Sequence, residues 1–355
     1  MTDAADPRDR YDFASDNTAG LFPEALETFV AANEGFVPSY GEDGWTAAAT
    51  GSIRDLFEAE CDVYFVFNGT AANALALATL CQSYHSVICH RAAHVETDEC
   101  GAPELFSHGA KLLLGEGEGG RLDPASVERL ATARADLHYP KPRAVTITQS
   151  TELGTVYAPD QVAAVGDVCR RLGLRLHVDG ARLANALVSA RTREAGASAA
   201  DLTWRAGVDV LSLGGTKAGM GLGEAVVFFD RALGEEFAWR CKQAGQLASK
   251  MRFVSAPWSR VLADGSWLRH AAHANAMAQR LADGLAAIDG VELVHPTEAN
   301  EVFVSLDERA RQALRAGRWV AYDFVGGGTR LVCSWATTEA AVDQLVADVR
   351  TGPGG

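Results

Sequence analysis

Residues 211–224 read LSLGGTKAGMGLGE, an apolar run that leads into a glycine-rich loop with a single lysine, Lys217. The run is typical of a buried strand, and the glycines would let the loop backbone approach a ligand closely because they carry no Cβ. A lysine buried among these small residues would favour its neutral amine, which can act as a Schiff-base nucleophile. The alternative is an ordinary lysine in a surface loop.

Similar apolar runs recur through the first two thirds of the chain, with helical patterns between several of them. The strand-like runs lie at 63–67, 86–90, 110–116, 143–149, 174–180, 208–215 and 224–230. The helical patterns lie at 71–81, 124–133, 159–172 and 181–190. This alternation predicts an α/β fold, with helices on both faces of a mostly parallel sheet. Ligands of such sheets bind at the carboxyl ends of the strands.

The pattern changes after about residue 231, where long alanine-rich helical stretches precede three short strand-like runs. We therefore predict three parts of the chain. An N-terminal segment, 1–50, packs on the large domain or on a neighbouring subunit. The large domain spans 51–244, and a smaller α+β domain spans 245–355.

The composition favours a small-molecule enzyme of the cytoplasm. The chain of 355 residues carries a formal net charge of −14, which would repel nucleic acid. Neither an export signal nor an apolar run of membrane-spanning length is present in the sequence. The seven cysteines form no CxxC pair, which is typical of reduced thiols.

Two further motifs follow strand-like runs. Gly69 and Thr70, in NGTAAN at 68–73, open a helix whose free amide groups and dipole suit a phosphate, although Thr70 could be an ordinary N-cap. Asp179 ends the run 174–180, where a buried carboxylate needs a cation or a protonated heterocycle as partner. An internal salt bridge to Arg182 is the alternative.

These motifs place a phosphate site, a carboxylate and an amine at the carboxyl ends of three strands. Pyridoxal phosphate needs all three, because it has a phosphate, a pyridine nitrogen that must stay protonated and an aldehyde that forms an imine with lysine. The set therefore predicts a site for this cofactor.

His94 follows another strand-like run and could lie over the pyridine ring and contact a substrate hydroxyl. His90 and His94, with Cys89 and Cys100 nearby, also raise the possibility of a zinc site. Two histidines at this spacing bind one metal from a helix, whereas the sequence around them indicates a strand and a loop. We predict no metal.

The order and spacing of these motifs resemble the low-specificity L-threonine aldolases. This family belongs to the β-eliminating lyase group of pyridoxal phosphate enzymes, with the aspartate-aminotransferase-like fold, or fold type I. The matching segments are SDN at 15–17, YGED at 40–43, NGTAAN, His94, GRLDP at 120–124, HVDGARLANA at 177–186, the lysine loop and TRLVCSW at 329–335.

The resemblance implies a role for each matching residue of the cofactor site. Lys217 would form the imine, Asp179 would pair with the pyridinium nitrogen, Gly69 and Thr70 would bind phosphate, and His94 would stack on the ring.

It also implies how the substrate is held. Ser15, Arg182 and Arg330 would bind the substrate carboxylate, with Arg182 close to the cofactor as well. A basic residue of the segment 239–245 would reach the phosphate, and Lys242 is the candidate, with Arg240 as the alternative.

One position departs from the family pattern. Where the family has a second histidine near the β-hydroxyl of the substrate, this chain has Glu152 in TQSTELGTVY. Glu152 could accept the hydroxyl proton, hold a water that does so, or be structural.

The resemblance implies retro-aldol cleavage of threonine, allo-threonine or phenylserine to glycine and an aldehyde. A β-eliminating lyase or an amino-acid racemase would use the same cofactor site, and a non-catalytic binding protein is a third alternative. The family also implies a homodimer or homotetramer with shared active sites.

Overall fold

The computed structural model of the protein describes residues 11–316, 318–324 and 327–352, so the ends of the predicted parts 1–50 and 245–355 lie outside it. The strands are β1 (Tyr11–Asp12), β2 (Asp62–Val66), β3 (His85–His90), β4 (Lys111–Gly115), β5 (Lys141–Thr148), β6 (Arg175–Gly180), β7 (Val210–Leu213), β8 (Glu224–Phe228), β9 (Val291–Leu293), β10 (Glu301–Leu306), β11 (Trp319–Val320), β12 (Tyr322–Asp323) and β13 (Thr329–Val332). The helices are α1 (Pro23–Ala31), α2 (Gly44–Phe57), α3 (Gly69–Leu80), α4 (His94–Thr97), α5 (Ala102–Phe106), α6 (Pro124–Thr132), α7 (Pro159–Leu172), α8 (Leu183–Arg193), α9 (Phe237–Gln243), α10 (Arg252–Ala263), α11 (Ser266–Ala286), α12 (Glu308–Ala316) and α13 (Glu339–Thr351).

Seven of these strands form the large sheet, in the order β2-β8-β7-β6-β5-β3-β4. Six are parallel, and β8 runs antiparallel to its neighbours β2 and β7. Alternate residues of one strand enter different cores: Val87 packs with α3 and α9 on one face, and Ile88 packs with the helices of the other face. The predicted α/β fold, a mostly parallel sheet with helices on both sides, is confirmed.

The core on one face of the large sheet draws side chains from distant parts of the chain. Phe22 and Ala25 enter it from the N-terminal segment, and Met251 and Trp258 enter it from the start of the predicted small domain. Packing is therefore continuous across positions 50 and 244, and the division of the chain there stays a prediction.

A second, antiparallel sheet has the order β12-β13-β10-β9 and packs against α11, α12 and α13. The strand β1 pairs with β11, and Phe13 is buried in the same core. The backbone of Phe13 also accepts a hydrogen bond from the amide of Val332 at 2.7 Å. The N-terminal segment is thereby fixed beside β13, which places residues 14–16 near Arg330.

Two structural findings concern the cysteines and the helices. All seven cysteines are free thiols, and six of them are buried. Within the described ranges, no helix combines the length and the apolar character that a bilayer crossing requires.

Candidate active site

The predicted motifs meet at one edge of the large sheet. Gly69 and Thr70 follow β2, Asp179 lies in the last residues of β6, and Lys217 follows β7. These three strands are parallel, so their carboxyl ends lie on the same side.

Lys217 lies in the loop 214–223, which joins β7 to the antiparallel β8, and its side chain is half-buried rather than fully buried. The glycines of this loop serve protein packing. An added Cβ at Gly214 would collide with the backbone of Ala181, and one at Gly215 would collide with the ring of Trp258. The expectation that these glycines make room for a ligand is therefore wrong, because their missing side chains make room for neighbouring parts of the chain.

A series of polar contacts connects Asp179 with His94. Asn73, in α3, donates hydrogen bonds from Nδ2 to Asp179 Oδ2 and to Glu99 Oε1, both at 2.8 Å. Glu99 Oε1 lies 2.9 Å from His94 Nδ1. Burial opposes protonation of His94, but the contact with Glu99 and the charges of Glu152 and Asp179 outweigh it and raise the pKa of the imidazole.

The same residues bear on the question of a metal. Ligand atoms of His94, Glu99 and Asp179 lie within 4.8 Å of one another, close enough to share an ion. However, the two carboxylates already accept hydrogen bonds from Asn73. His90 ends β3 whereas His94 begins α4, so the HxxxH pair does not lie on one helix. The absence of a metal stays a prediction.

Gly69 and Thr70 are the first two residues of α3, and Asn68 is its N-cap. Asn68 Oδ1 accepts the amide of Ala71 at 2.9 Å, so the alternative in which Thr70 is an ordinary N-cap is wrong. A Cβ added at Gly69 would meet no atom within 4 Å, which shows open space beside the first turn. Backbone amides and the helix dipole favour an anion in this space.

Arg182 immediately precedes α8 and pairs with Asp16. The distances are 2.7 Å from Nε to Oδ2 and 3.1 Å from Nη2 to Oδ1, and both side chains are 3% exposed. Burial opposes ionisation of Asp16, but Arg182 and Lys217 outweigh it and hold the pKa of this carboxyl below its usual value. The alternative of an Asp179–Arg182 salt bridge is wrong, since Asp179 accepts from Asn73 instead.

Arg330 and Ser15 lie beside this pair. Nη2 of Arg330 donates to the carbonyl oxygen of Ala14, the residue before Ser15, at 3.4 Å. Oε1 of Glu301 lies 3.6 Å from Arg330 Nη1 and 3.5 Å from Arg182 Nη2. The three residues predicted to bind a substrate carboxylate are thus brought together, with Glu301 between the two arginines.

Glu152 lies in the turn after β5 and is buried, with 5% exposure. The turn is held by a hydrogen bond from the amide of Thr151 to the carbonyl oxygen of Thr155, at 2.9 Å. The charge of Glu152 acts on both His94 and Arg182, so this carboxyl faces the interior of the site.

Lys242 and Arg240 lie on α9, and Lys242 is exposed. Lys242 Nζ lies 4.8 Å from the centre of the Tyr40 ring, and Arg240 borders a surface depression beside Trp239. The segment after α9 contacts the residue before the phosphate motif through the hydrogen bond from the amide of Phe67 to Gln246 Oε1, at 2.9 Å. The role of either basic residue at the phosphate stays a prediction.

Four polar residues of the site were not predicted, namely Asp16, Asn73, Glu99 and Glu301. Asn73 gave a signal, because it interrupts an alanine-rich apolar helix, and Asp16 lies within the SDN motif. Buried polar atoms without hydrogen-bond partners concentrate here, one each from Asn73, Glu99, Ser150, Glu152, Asn300 and Arg330 and two from Glu301. Because buried polar atoms normally have partners, this concentration indicates a polar ligand.

Comparison with known proteins identifies the family. The model of the beta-eliminating lyase family matches residues 12–309. The chain is 58% and 57% identical over 339 residues to the low specificity L-threonine aldolases of Pseudomonas sp. (strain NCIMB 10558) and Pseudomonas aeruginosa, covering 95% of this chain and 96% of each relative. A solved threonine aldolase structure from Leishmania major has a TM-score of 0.89 and 30% identity, covering 96% of this chain and 99% of that chain.

The chain is therefore an enzyme of the beta-eliminating lyase family, and the predicted fold of that family is confirmed. Within the family it belongs with the low-specificity L-threonine aldolases, as the motifs predicted.

Proposed function

We propose that this enzyme uses pyridoxal phosphate to cleave β-hydroxy-α-amino acids to glycine and an aldehyde. Threonine, allo-threonine and phenylserine are the proposed substrates. The observation that carries the proposal is the placement of Lys217, Asp179 and Arg182 at one edge of the large sheet, with Arg330 of the second sheet connected to Arg182 through Glu301. The relatives at 57–58% identity are low specificity L-threonine aldolases, which supports the same reaction.

The residues of the site fit the cofactor group by group. The first turn of α3, at Gly69 and Thr70, suits its phosphate, and the carboxylate of Asp179 suits its ring nitrogen. His94, held through Nδ1 by Glu99, presents a planar ring, and Lys217 supplies the amine for covalent attachment. When bound, pyridoxal phosphate supplies an electron sink for cleavage of the carbon–carbon bond.

The substrate carboxylate is the group that Arg182, Arg330 and Ser15 would bind. Two contacts to Asp16 fix the guanidinium of Arg182, so its remaining donors have a defined direction. A carboxylate held at two arginines fixes the orientation of the substrate, and orientation decides which bond to the α-carbon is cleaved.

We propose that Glu152 accepts the proton of the β-hydroxyl group, directly or through a water. The raised pKa of His94 increases the protonated fraction of that imidazole near neutral pH, and a protonated imidazole cannot accept a further proton. Glu152 is buried on the site side of its turn, and its Oε1 has no hydrogen-bond partner among the described residues.

Replacing Glu152 by glutamine is expected to lower kcat for threonine by at least about a hundredfold, because the amide cannot accept the proton as a carboxylate does. The visible absorbance of the bound cofactor should persist, since Lys217 is unchanged. Acetaldehyde release, coupled to NADH oxidation by alcohol dehydrogenase, measures kcat. An unchanged kcat would show that Glu152 is structural.

The proposed reaction is tested by its products. Cleavage of threonine gives acetaldehyde and glycine in equal amounts, and phenylserine gives benzaldehyde. A β-eliminating lyase would instead release pyruvate and ammonia from serine or cysteine derivatives, and a racemase would change only the configuration of the α-carbon. A binding protein would bind the cofactor and give no product. Any of these three results would overturn the proposed function.

We also propose a homodimer or homotetramer with shared active sites. Phe36 is fully exposed, Trp239 on α9 is 73% exposed and Leu222 in the loop of Lys217 is 59% exposed. Large apolar side chains on a surface are typical of an interface. Light scattering during size-exclusion chromatography measures the assembly, and a monomeric mass would contradict it.

The proposed location is the cytoplasm. The seven free thiols, six of them buried, suit a reducing compartment.

A further inference from the structure

Glu301 is a buried carboxyl between the two arginines that would bind the substrate carboxylate. It is the first residue of β10 and has no exposed surface. Its Oε1 lies 3.5 Å from Arg182 Nη2 and 3.6 Å from Arg330 Nη1. Both carboxyl oxygens lack a hydrogen-bond partner among the described residues. A substrate carboxylate would therefore compete with Glu301 for the same two cations.

The charges around Glu301 come from four separate elements. Arg182 stands before α8 and Arg330 on β13, while Asp16 and Glu152 approach from the N-terminal segment and from the turn after β5. Lys217 acts on the neighbouring Asp16, whose pKa it helps to lower. Burial raises the pKa of Glu301 to about 7. The positive charges of Arg182 and Arg330 act against this rise, and the negative charges of Glu152 and Asp16 add to it. A further carboxylate at the arginines would add repulsion in a site that excludes water.

The turn that carries Glu152 rests directly on the start of β10. A Cβ added at Gly154 would lie 3.2 Å from the carbonyl oxygen of Glu301 and 3.4 Å from its Cβ. Oε1 of Glu152 is also buried without a partner in the described chain. The carboxyl groups of Glu152 and Glu301 thus lie on two segments that are in contact, and each has incomplete hydrogen bonding. One proton on Glu301 would lessen the repulsion between the two groups.

We propose that Glu301 is a positioning residue that takes up one proton when the substrate carboxylate binds to Arg182 and Arg330. With the proton, Glu301 releases the two guanidinium groups to the substrate. The inference rests on the proposed function, because it needs a carboxylate ligand at the arginines.

The consequence is a pH-dependent affinity with a defined sign. Below the pKa of Glu301 the group is already protonated, so binding requires no proton. Above this pKa, Glu301 must take up one proton from solution each time a carboxylate binds. The affinity for the carboxylate should therefore fall by up to about tenfold per pH unit.

The test measures competitive inhibition of the holoenzyme by 3-hydroxybutyrate between about pH 6 and about pH 9. This ligand has the carboxylate and the β-hydroxyl of threonine but no amine, so it cannot displace Lys217. The inhibition constant should rise with pH in the unchanged enzyme and stay nearly flat in Glu301→Gln. A purely structural role of Glu301 would weaken binding at every pH and leave the slope in place.

Glu298→Gln is the matched control on the same segment. Glu298 pairs with Arg121 and Arg193 and accepts the amide of Val156 at 2.7 Å. Its loss should leave the pH slope unchanged, because its partners lie outside the arginine pair.

Calorimetry in two buffers of different ionisation enthalpy measures how many protons the enzyme takes up when the ligand binds, and this measurement needs no variant. At about pH 8, ligand binding to the unchanged enzyme should take up most of one proton. A flat inhibition constant in the unchanged enzyme, no proton uptake, no inhibition in an active enzyme, or a full slope in Glu301→Gln would each overturn the inference. Absence of aldehyde release from threonine would instead overturn the proposed function, so the two failures are distinguishable.

Discussion

Replacing Lys217 by alanine is expected to lower aldehyde release from threonine by at least about a thousandfold, because covalent attachment holds the cofactor beside the substrate groups. The purified variant should also lose the visible absorbance that a protonated lysine imine gives. Lys250→Ala is the matched control, since Lys250 is an exposed lysine of the same chain. Its activity and spectrum should match those of the unchanged enzyme.

Borohydride reduction and mass spectrometry locate the attachment. Trypsin normally cleaves after Lys217, but a modified lysine resists cleavage, so the adduct should appear on the longer peptide 206–231. An adduct on another lysine, or no adduct at all, would contradict the assignment and with it the proposed mechanism.

The parallel strands could be predicted from the sequence because each is a short, continuous apolar run with helical patterns around it. The direction of β8 could not, since an antiparallel strand that is buried on both faces has the same composition as its parallel neighbours. The helices α1 and α2 were not predicted as helices. The sequence of α2 contains Gly44 and Gly51, which weaken the local helical signal, and its buried face packs on α10.

The residues of the site also fall into two groups, those that the sequence could predict and those that it could not. Lys217, Asp179, Gly69 and Thr70 could be predicted because each follows a recognisable strand and carries a group that the cofactor needs. The partners of these groups could not, because Asn73 and Glu301 reach the site only through the packing of α3 and of the second sheet. A polar residue in an apolar helix or strand is the sequence signal that would have indicated both.

Replacing Arg182 by methionine is expected to lower the free energy of unfolding by about 3–5 kcal/mol, because Asp16 and Glu301 would lose the cation that compensates their burial. The KM for threonine should rise by at least about tenfold, since a charged hydrogen-bond partner of the substrate is also removed. Urea denaturation of the holoenzyme, at one protein and cofactor concentration, measures stability.

The double variant Arg182→Met with Asp16→Asn separates the two effects. Removal of the charge at Asp16 should restore more than half of the lost stability, because the remaining amide is neutral and still accepts from Asn300. The KM should stay high, since the substrate contact is not restored. Recovery of both properties would show that Arg182 only neutralises Asp16, and recovery of neither would show that its aliphatic packing dominates. If the double variant regains stability but keeps a high KM, Arg182 has two separate roles. Its guanidinium group is then held in place by Asp16 and binds the substrate carboxylate.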